Sequence, residues 1–288
     1  MTSCRPCEFT VKFWGVRGNI PTPGIETIRY GGNTACVELQ VAGQRLIFDG
    51  GTGLRVLGKQ LVQEMPVQAH LFFTHTHWDR IQGFPFFAPA FVSGNQFDIY
   101  GAVGQNGASI KQRLSEQMLR PNFPVPLQMM QAALNFHDIL PGSAITLEKD
   151  IVVETIALHR SNSAIGYRVT WNNHSVVYAT DVEYRANQIE PRLLYLAQQA
   201  DLLIYDIASA ANSMEQNASP EQSPAISPSA WQAGIEVANM TQVKQMVLFH
   251  HDPCDEDDFL DQVEAEMQAR SAEVRLAREG MVVSIGTH

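Results

Sequence analysis

Apolar residues recur along this chain in two rhythms, and the switches between them predict its elements. Phe9 to Gly15, Ala35 to Val41 and Arg45 to Phe48 alternate or cluster apolar side chains between Gly- and Pro-rich stretches, which predicts strands joined by tight turns. From Leu54 to Glu64 the apolar positions Leu54, Val56, Leu57, Leu61 and Val62 fall near a helical period, so a helix is expected to pack on that sheet. His70 to Thr74 reads as a short strand, and the Phe84 to Phe91 run that follows is broken by Pro85 and Pro89. Ile110 to Leu119 predicts a helix, while Ala144 to Leu158, Ile165 to Trp171 and Ser175 to Thr180 predict strands. The last third alternates: helix at Arg192 to Gln199, strand at Leu202 to Tyr205, helix at Ser229 to Met240, strand at Gln245 to Phe249, an acid-started helix at Asp255 to Arg270, and a strand at Met281 to Ile285.

Strands in two blocks, each accompanied by helices, predict two sheets packed face to face with helices outside. The expected fold is therefore α/β, a four-layer αββα sandwich, in a single domain spanning residues 1–288. Residues 208–228 are rich in Ser, Ala, Asn, Gln, Glu and Pro with almost no large apolar side chain, which predicts a flexible loop.

Composition narrows the function classes. The chain is 45% hydrophobic and 17% charged, and no apolar run approaches the roughly 18 residues needed to cross a bilayer. Its N-terminus enters a strand-like pattern without a secretory signature, so the cytoplasm is the expected compartment. A formal net charge of -10 argues against broad nucleic-acid binding and leaves a small-molecule or nucleotide-like substrate as the expected partner, with a homodimer open. Cys4 and Cys7 form a lone C-x-x-C with no second pair to complete a zinc site, and Cys36 and Cys254 read as reduced thiols.

The candidate chemistry lies where apolar strands end. Leu71-Phe72-Phe73-Thr74 runs into His75, His77 and Asp79 at alternating positions, so that two imidazoles can bite one cation while the carboxylate turns to a neighbouring position. The pattern repeats: Val152 to Leu158 ends at His159, Val176 to Thr180 at Asp181, and Met246 to Phe249 at His250. Imidazoles and carboxylates converging at one rim suit zinc, with manganese or iron as alternatives. Between His250 and His251, the first is preferred because it directly follows its strand. Asp49, after Leu46-Ile47-Phe48, is placed to orient a ligand histidine.

With these residues stand Gly15-Val16-Arg17-Gly18-Asn19-Ile20-Pro21-Thr22-Pro23-Gly24, Tyr30-Gly31-Gly32-Asn33-Thr34, Asp49-Gly50-Gly51-Thr52-Gly53-Leu54-Arg55, Gln82-Gly83-Phe84-Pro85, Tyr178-Ala179-Thr180-Asp181 and Phe249-His250-His251-Asp252-Pro253. As a set they resemble the metallo-β-lactamase superfamily, in the branch of phosphodiesterases and the tRNA 3′-processing ribonuclease, over nearly the whole chain. The resemblance implies a first metal site on His75, His77 and His159, a second on Asp79 and His250, and Asp181 bridging the two, with one or two ions per chain.

Two positions depart from that branch. Its H-x-H-x-D-H motif ends here in Arg80, and a guanidinium cannot bind a cation. Either Arg80 supplies the missing positive charge in a one-metal site, or Asp79, Asp181 and His250 still hold a weaker second ion. Pro228 stands where the branch has a histidine that assists proton transfer or binds phosphate. The expected function is metal-dependent hydrolysis of a phosphodiester or other ester by metal-bound hydroxide, with Asp79 orienting the water and relaying its proton and Arg80 holding an anionic substrate group. The alternatives are a catalytically impaired metal- or ligand-binding protein and an iron-dependent redox protein. Phe84, Phe86, Phe87 and Phe91 read as packing beneath the metal loop, and Asp255 to Asp258 as an acidic helix start.

Overall fold

The computed structural model describes residues 8–158, 164–182, 190–206 and 228–286. Cys4, Cys7, His159 and residues 208–227 of the predicted loop lie outside them. The first sheet is built from β1 (Phe9–Gly15), β2 (Cys36–Val41), β3 (Gln44–Phe48), β4 (Gln68–Phe73), β5 (Gln96–Ala102) and β6 (Ala133–Ile139). The second contains β7 (Ala144–Thr146), β8 (Val152–Ala157), β9 (Ile165–Trp171), β10 (His174–Ala179), β11 (Leu202–Asp206), β12 (Gln245–Phe249) and β13 (Val274–Leu276), and β14 (Val282–Ser284) returns to the first. Each sheet has seven strands, ordered β14-β1-β2-β3-β4-β5-β6 and β13-β12-β11-β10-β9-β8-β7.

The layering follows from side-chain alternation along strands buried on both faces. In β4, Phe72 joins Phe13, Val37 and Phe48 against Tyr167, Tyr178, Ile204 and Phe249 of the other sheet. Its neighbours Leu71 and Phe73 point the other way, onto Leu54, Leu57 and Leu61 of helix α1 (Thr52–Leu61). A short α2 (Trp78–Ile81) and α3 (Ile110–Glu116) follow on that side. Beyond the second sheet, Val177, Leu203 and Leu248 pack with Leu193 and Leu196 of α4 (Pro191–Ala197), with α5 (Pro228–Thr241), and with Leu260, Val263 and Met267 of α6 (Asp257–Gln268). The result is the αββα sandwich. Among the described residues no helix is long and apolar enough to cross a membrane.

Three strands escaped the sequence pattern: β5, β6 and β13. In β5 inward Phe97 and Ile99 do alternate with Gln96 and Asp98, but the alternation is lost in the second half of the strand, which carries Gly101. Strand β6 is a largely exposed edge, and β13 has only three residues.

Strand direction decides where the chemistry gathers. Strands β3, β4 and β5 run parallel, as do β10, β11 and β12. Strand β8 is antiparallel to β9 and β9 to β10, so β8 shares the direction of β10. The carboxyl ends of β3 and β4 meet those of β10, β11 and β12 at one rim, because Tyr178 of β10 donates to Asp49 (3.0 Å), Tyr167 donates to the Phe73 carbonyl (2.6 Å), and Arg80 reaches Thr180 (3.2 Å).

Candidate metal centre

At that rim the donor atoms of His75, His77 and Asp181 lie within 4.8 Å of one another, the one such set of three among the described residues. The rings of His75 and His77 meet edge-on at 4.3 Å between centroids, and His75 Nε2 lies 3.9 Å from Asp181 Oδ2. Ligands about 2.0–2.1 Å from a tetrahedral zinc stand about 3.3 Å apart, so a small adjustment brings this pair onto one ion. Two imidazoles and a carboxylate are a donor set zinc, manganese or iron accepts.

The imidazole of His75 is held from behind. Asp49 accepts the Thr74 amide (2.8 Å) and the Thr74 hydroxyl (2.9 and 3.0 Å), and that hydroxyl lies 3.0 Å from His75 Nδ1. A carboxylate only accepts, so the hydroxyl proton goes to Asp49 and the hydroxyl oxygen accepts from Nδ1–H. Nε2 is then left with its lone pair toward Asp181, the tautomer a metal requires. Burial, with the charges of Arg80 and His77 added, holds His75 well below the ordinary imidazole range and keeps it neutral. Asp49 therefore orients a candidate ligand histidine, as its strand-end position predicts, but through Thr74.

Asp79 and His250 form a second cluster beside the first. His250 Nε2 is 2.8 Å from Asp79 Oδ2, and His250 Nδ1 is 3.4 Å from Asp206 Oδ1. Burial works against charging His250, and so does Arg80, yet Asp206 and Asp79 prevail and lift it to about 9. For Asp79 burial is likewise outweighed, by the hydrogen bond from His250 and the charge of Arg80, and the carboxyl stays far below its usual range. The structure thus brings Asp79 and His250 together, but not into the set formed by His75, His77 and Asp181. Adjacent His251 turns away: fully buried, it lies 2.7 Å from the Ala277 carbonyl and edge-on to Tyr30.

Arg80 is fully buried, and its nitrogens fan out beneath both clusters. Nη1 reaches Asp49 (3.0 Å), Tyr178 (3.2 Å) and Thr180 (3.2 Å), Nε lies 3.1 Å from Asp79 Oδ2, and Nη2 lies 3.6 Å from Asp206 Oδ2. The last two are ion-pair distances without hydrogen-bond alignment. A guanidinium so enclosed cannot hold a substrate anion, so the expectation that Arg80 binds one is corrected: its partners are inside the protein.

Asp206 is the residue the sequence reading missed. It ends β11 as Asp181 follows β10, and its Oδ2 accepts the Asp181 amide at 2.8 Å, so the same strand-end signal was present. Asp49, Asp181 and His250 all adopt left-handed backbone, with φ of 60°, 59° and 67°. This conformation is sparsely populated for residues other than glycine and clusters at functional sites. It turns each side chain sharply off its strand toward the rim. Gly18 permits the close approach of His250: a Cβ there would stand 2.7 Å from His250 Cε1. Of the phenylalanines, Phe84 and Phe87 are buried packing, whereas Phe86 is half exposed and edge-on to Phe123.

His159 follows β8, whose carboxyl end faces the same rim, but lies outside the described residues. Pro228 opens α5.

A family model described as the beta-lactamase superfamily domain matches residues 44–251. Among solved structures, YhfI, a metallo-beta-lactamase fold protein from Bacillus subtilis, superposes with a TM-score of 0.66 at 16% identity, covering 96% of this chain and 99% of that one. A diphosphatase from the PhnP family gives 0.68 at 16% identity over 96% and 97% of the two chains. The short form of human tRNase Z gives 0.61 at 20% identity over 96% and 98%. No curated protein matches the chain. At these identities the structural likeness shows the fold.

Proposed function

The chain belongs to the beta-lactamase superfamily, and we propose that it is a metal-dependent hydrolase acting on a phosphodiester or a related ester. The observation that carries this reading is the convergence of His75, His77 and Asp181 at a rim tied together by Asp49, Thr74, Tyr167 and Tyr178. These three would hold the ion, zinc first and manganese or iron as alternatives, with His159 as a further ligand. Bound there, a divalent cation would supply Lewis acidity and draw the pKa of a water toward neutrality.

The protein's own groups would do the rest. Thr74 and Asp49 fix the His75 tautomer, and the cross-sheet hydrogen bonds hold the donors in place. Asp79 would orient the attacking water. Held so far below the usual carboxylate range it is a weak base, so orientation rather than proton storage is its contribution. The net charge of -10 favours a small, nucleotide-like ester over extended nucleic acid. The diphosphatase and tRNase Z among the similar folds support a phosphorus-centred substrate.

The test is hydrolysis of bis(p-nitrophenyl) phosphate by chelator-treated protein reloaded with zinc or manganese. Turnover is expected in the loaded protein and absent in His77→Ala, and no turnover with any metal overturns the proposal. One observation favours a second reading, ligand binding without turnover: Pro228 begins a helix where the resembled branch carries its proton-handling histidine. Retention of the intact diester by the loaded protein is its signature.

A further inference from the structure

We infer that Arg80 permanently takes the place of a second divalent cation, so that the chain binds a single metal ion, at His75, His77 and Asp181. The inference rests on the metal site proposed above and adds its stoichiometry.

Consider first what a second ion would need. Its donors would be Asp79 and His250 with a shared carboxylate. Yet Asp79 Oδ2, 2.8 Å from His250 Nε2, also lies 3.1 Å from Arg80 Nε, so an ion drawn between these two donors would sit against the guanidinium. No third donor joins them within reach among the described residues, whereas three do converge at the first site. Asp206, the nearest further carboxylate, is turned to the Asp181 amide, to His250 Nδ1 and to Arg80 Nη2.

Next consider charge. Asp49, Asp79 and Asp206 are buried carboxylates at one rim, and such a group demands a cation. Each faces a different nitrogen of Arg80: Nη1, Nε and Nη2 respectively. The planar fork of arginine suits this task, being always charged and satisfied by several acceptors in fixed directions. A divalent ion seated between Asp79 and His250 would have to share Asp79 Oδ2 with that fixed positive charge, at a buried position where water screens little. Arg80 cannot move aside to solvent, since it is fully buried and tied to Tyr178 and Thr180 of the opposite sheet.

The experiment counts metal. Full-length protein is stripped with chelator, reloaded with excess zinc, desalted and analysed by inductively coupled plasma mass spectrometry, with calorimetric titration of zinc in parallel. Wild type is expected to retain one ion per chain and to titrate in a single step; Asp79→Asn should keep that ion and His77→Ala should lose it. Arg80→His, which removes the guanidinium and supplies an imidazole, should retain two, while Arg80→Lys, which keeps the charge, should retain one. Two ions in wild type, or loss of the single ion in folded Asp79→Asn, overturns the inference while leaving the hydrolase reading intact. Zero ions overturns the metal site on which both stand. The wild-type count decides the matter even if Arg80→His fails to fold.

Discussion

Thr74→Val is a nearly isosteric change that removes one hydroxyl, and the structure says what that hydroxyl does. It donates to the Asp49 carboxylate and accepts from His75 Nδ1, while the Thr74 amide keeps its own bond to Asp49. A hydrogen bond to a charged acceptor contributes about 1.5–3 kcal/mol, and leaving a buried N–H bare costs about 1–3 kcal/mol. The loss should total about 2.5–6 kcal/mol. With an unfolding entropy of about 2.1 cal/mol/K per residue, a chain of 288 residues should then melt about 4–10 °C lower. Freed from Thr74, the His75 ring can rotate and exchange tautomers, and loss of such an orienting partner weakens metal binding about 10–100-fold. The assay is zinc competition against a chromophoric chelator, with thermal denaturation of the metal-free protein alongside. Thr74→Ser should restore both quantities. Unchanged zinc affinity in a folded Thr74→Val protein would refute the claim that Asp49 acts on the metal site through this hydroxyl.

Three further outcomes follow from particular contacts. Arg80→Met leaves Asp49, Asp79 and Asp206 without their buried cation, so denaturant unfolding should register a loss of about 3–5 kcal/mol. Gly18→Ala drives a methyl into the His250 ring, and a melting curve should show about 1–3 kcal/mol of overpacking. Asp255 is buried, and burial, reinforced by Asp252, raises it from 3.8 to about 7. Between those values the unfolded chain releases a proton that the folded chain keeps, so this group lowers stability as pH rises through the window. Asp255→Asn should therefore be more stable than wild type at pH 8, by about 4 kcal/mol in denaturant unfolding, and close to it at pH 4; a gain independent of pH would show that charge at Asp255 is not the cause.

Much of the fold was legible because buried strands announce themselves locally. Ile165–Trp171 and Gln245–Phe249 are strands at the limits the apolar runs set, and Asp181 and His250 stand one or two residues past their strands. What escaped has tertiary causes. Strand β6 is half exposed at an edge and so lacks a clean alternation. The role of Arg80 depends on Asp49, Asp206 and Thr180, which arrive from three other strand ends, and no local pattern reports that its side chain would be sealed inside. Asp206 carried the same mark as Asp181, a carboxylate closing an apolar strand, and reading the pattern through to the last residue of β11 would have found it.

The most direct measurement is anomalous diffraction at the zinc edge from crystals of the zinc-loaded protein. One strong peak is predicted within about 2.0–2.2 Å of nitrogens of His75 and His77 and an oxygen of Asp181, with no peak between Asp79 and His250. Zinc at Asp79 and His250 with His75 and His77 left unligated, or no bound zinc at all, would contradict the account.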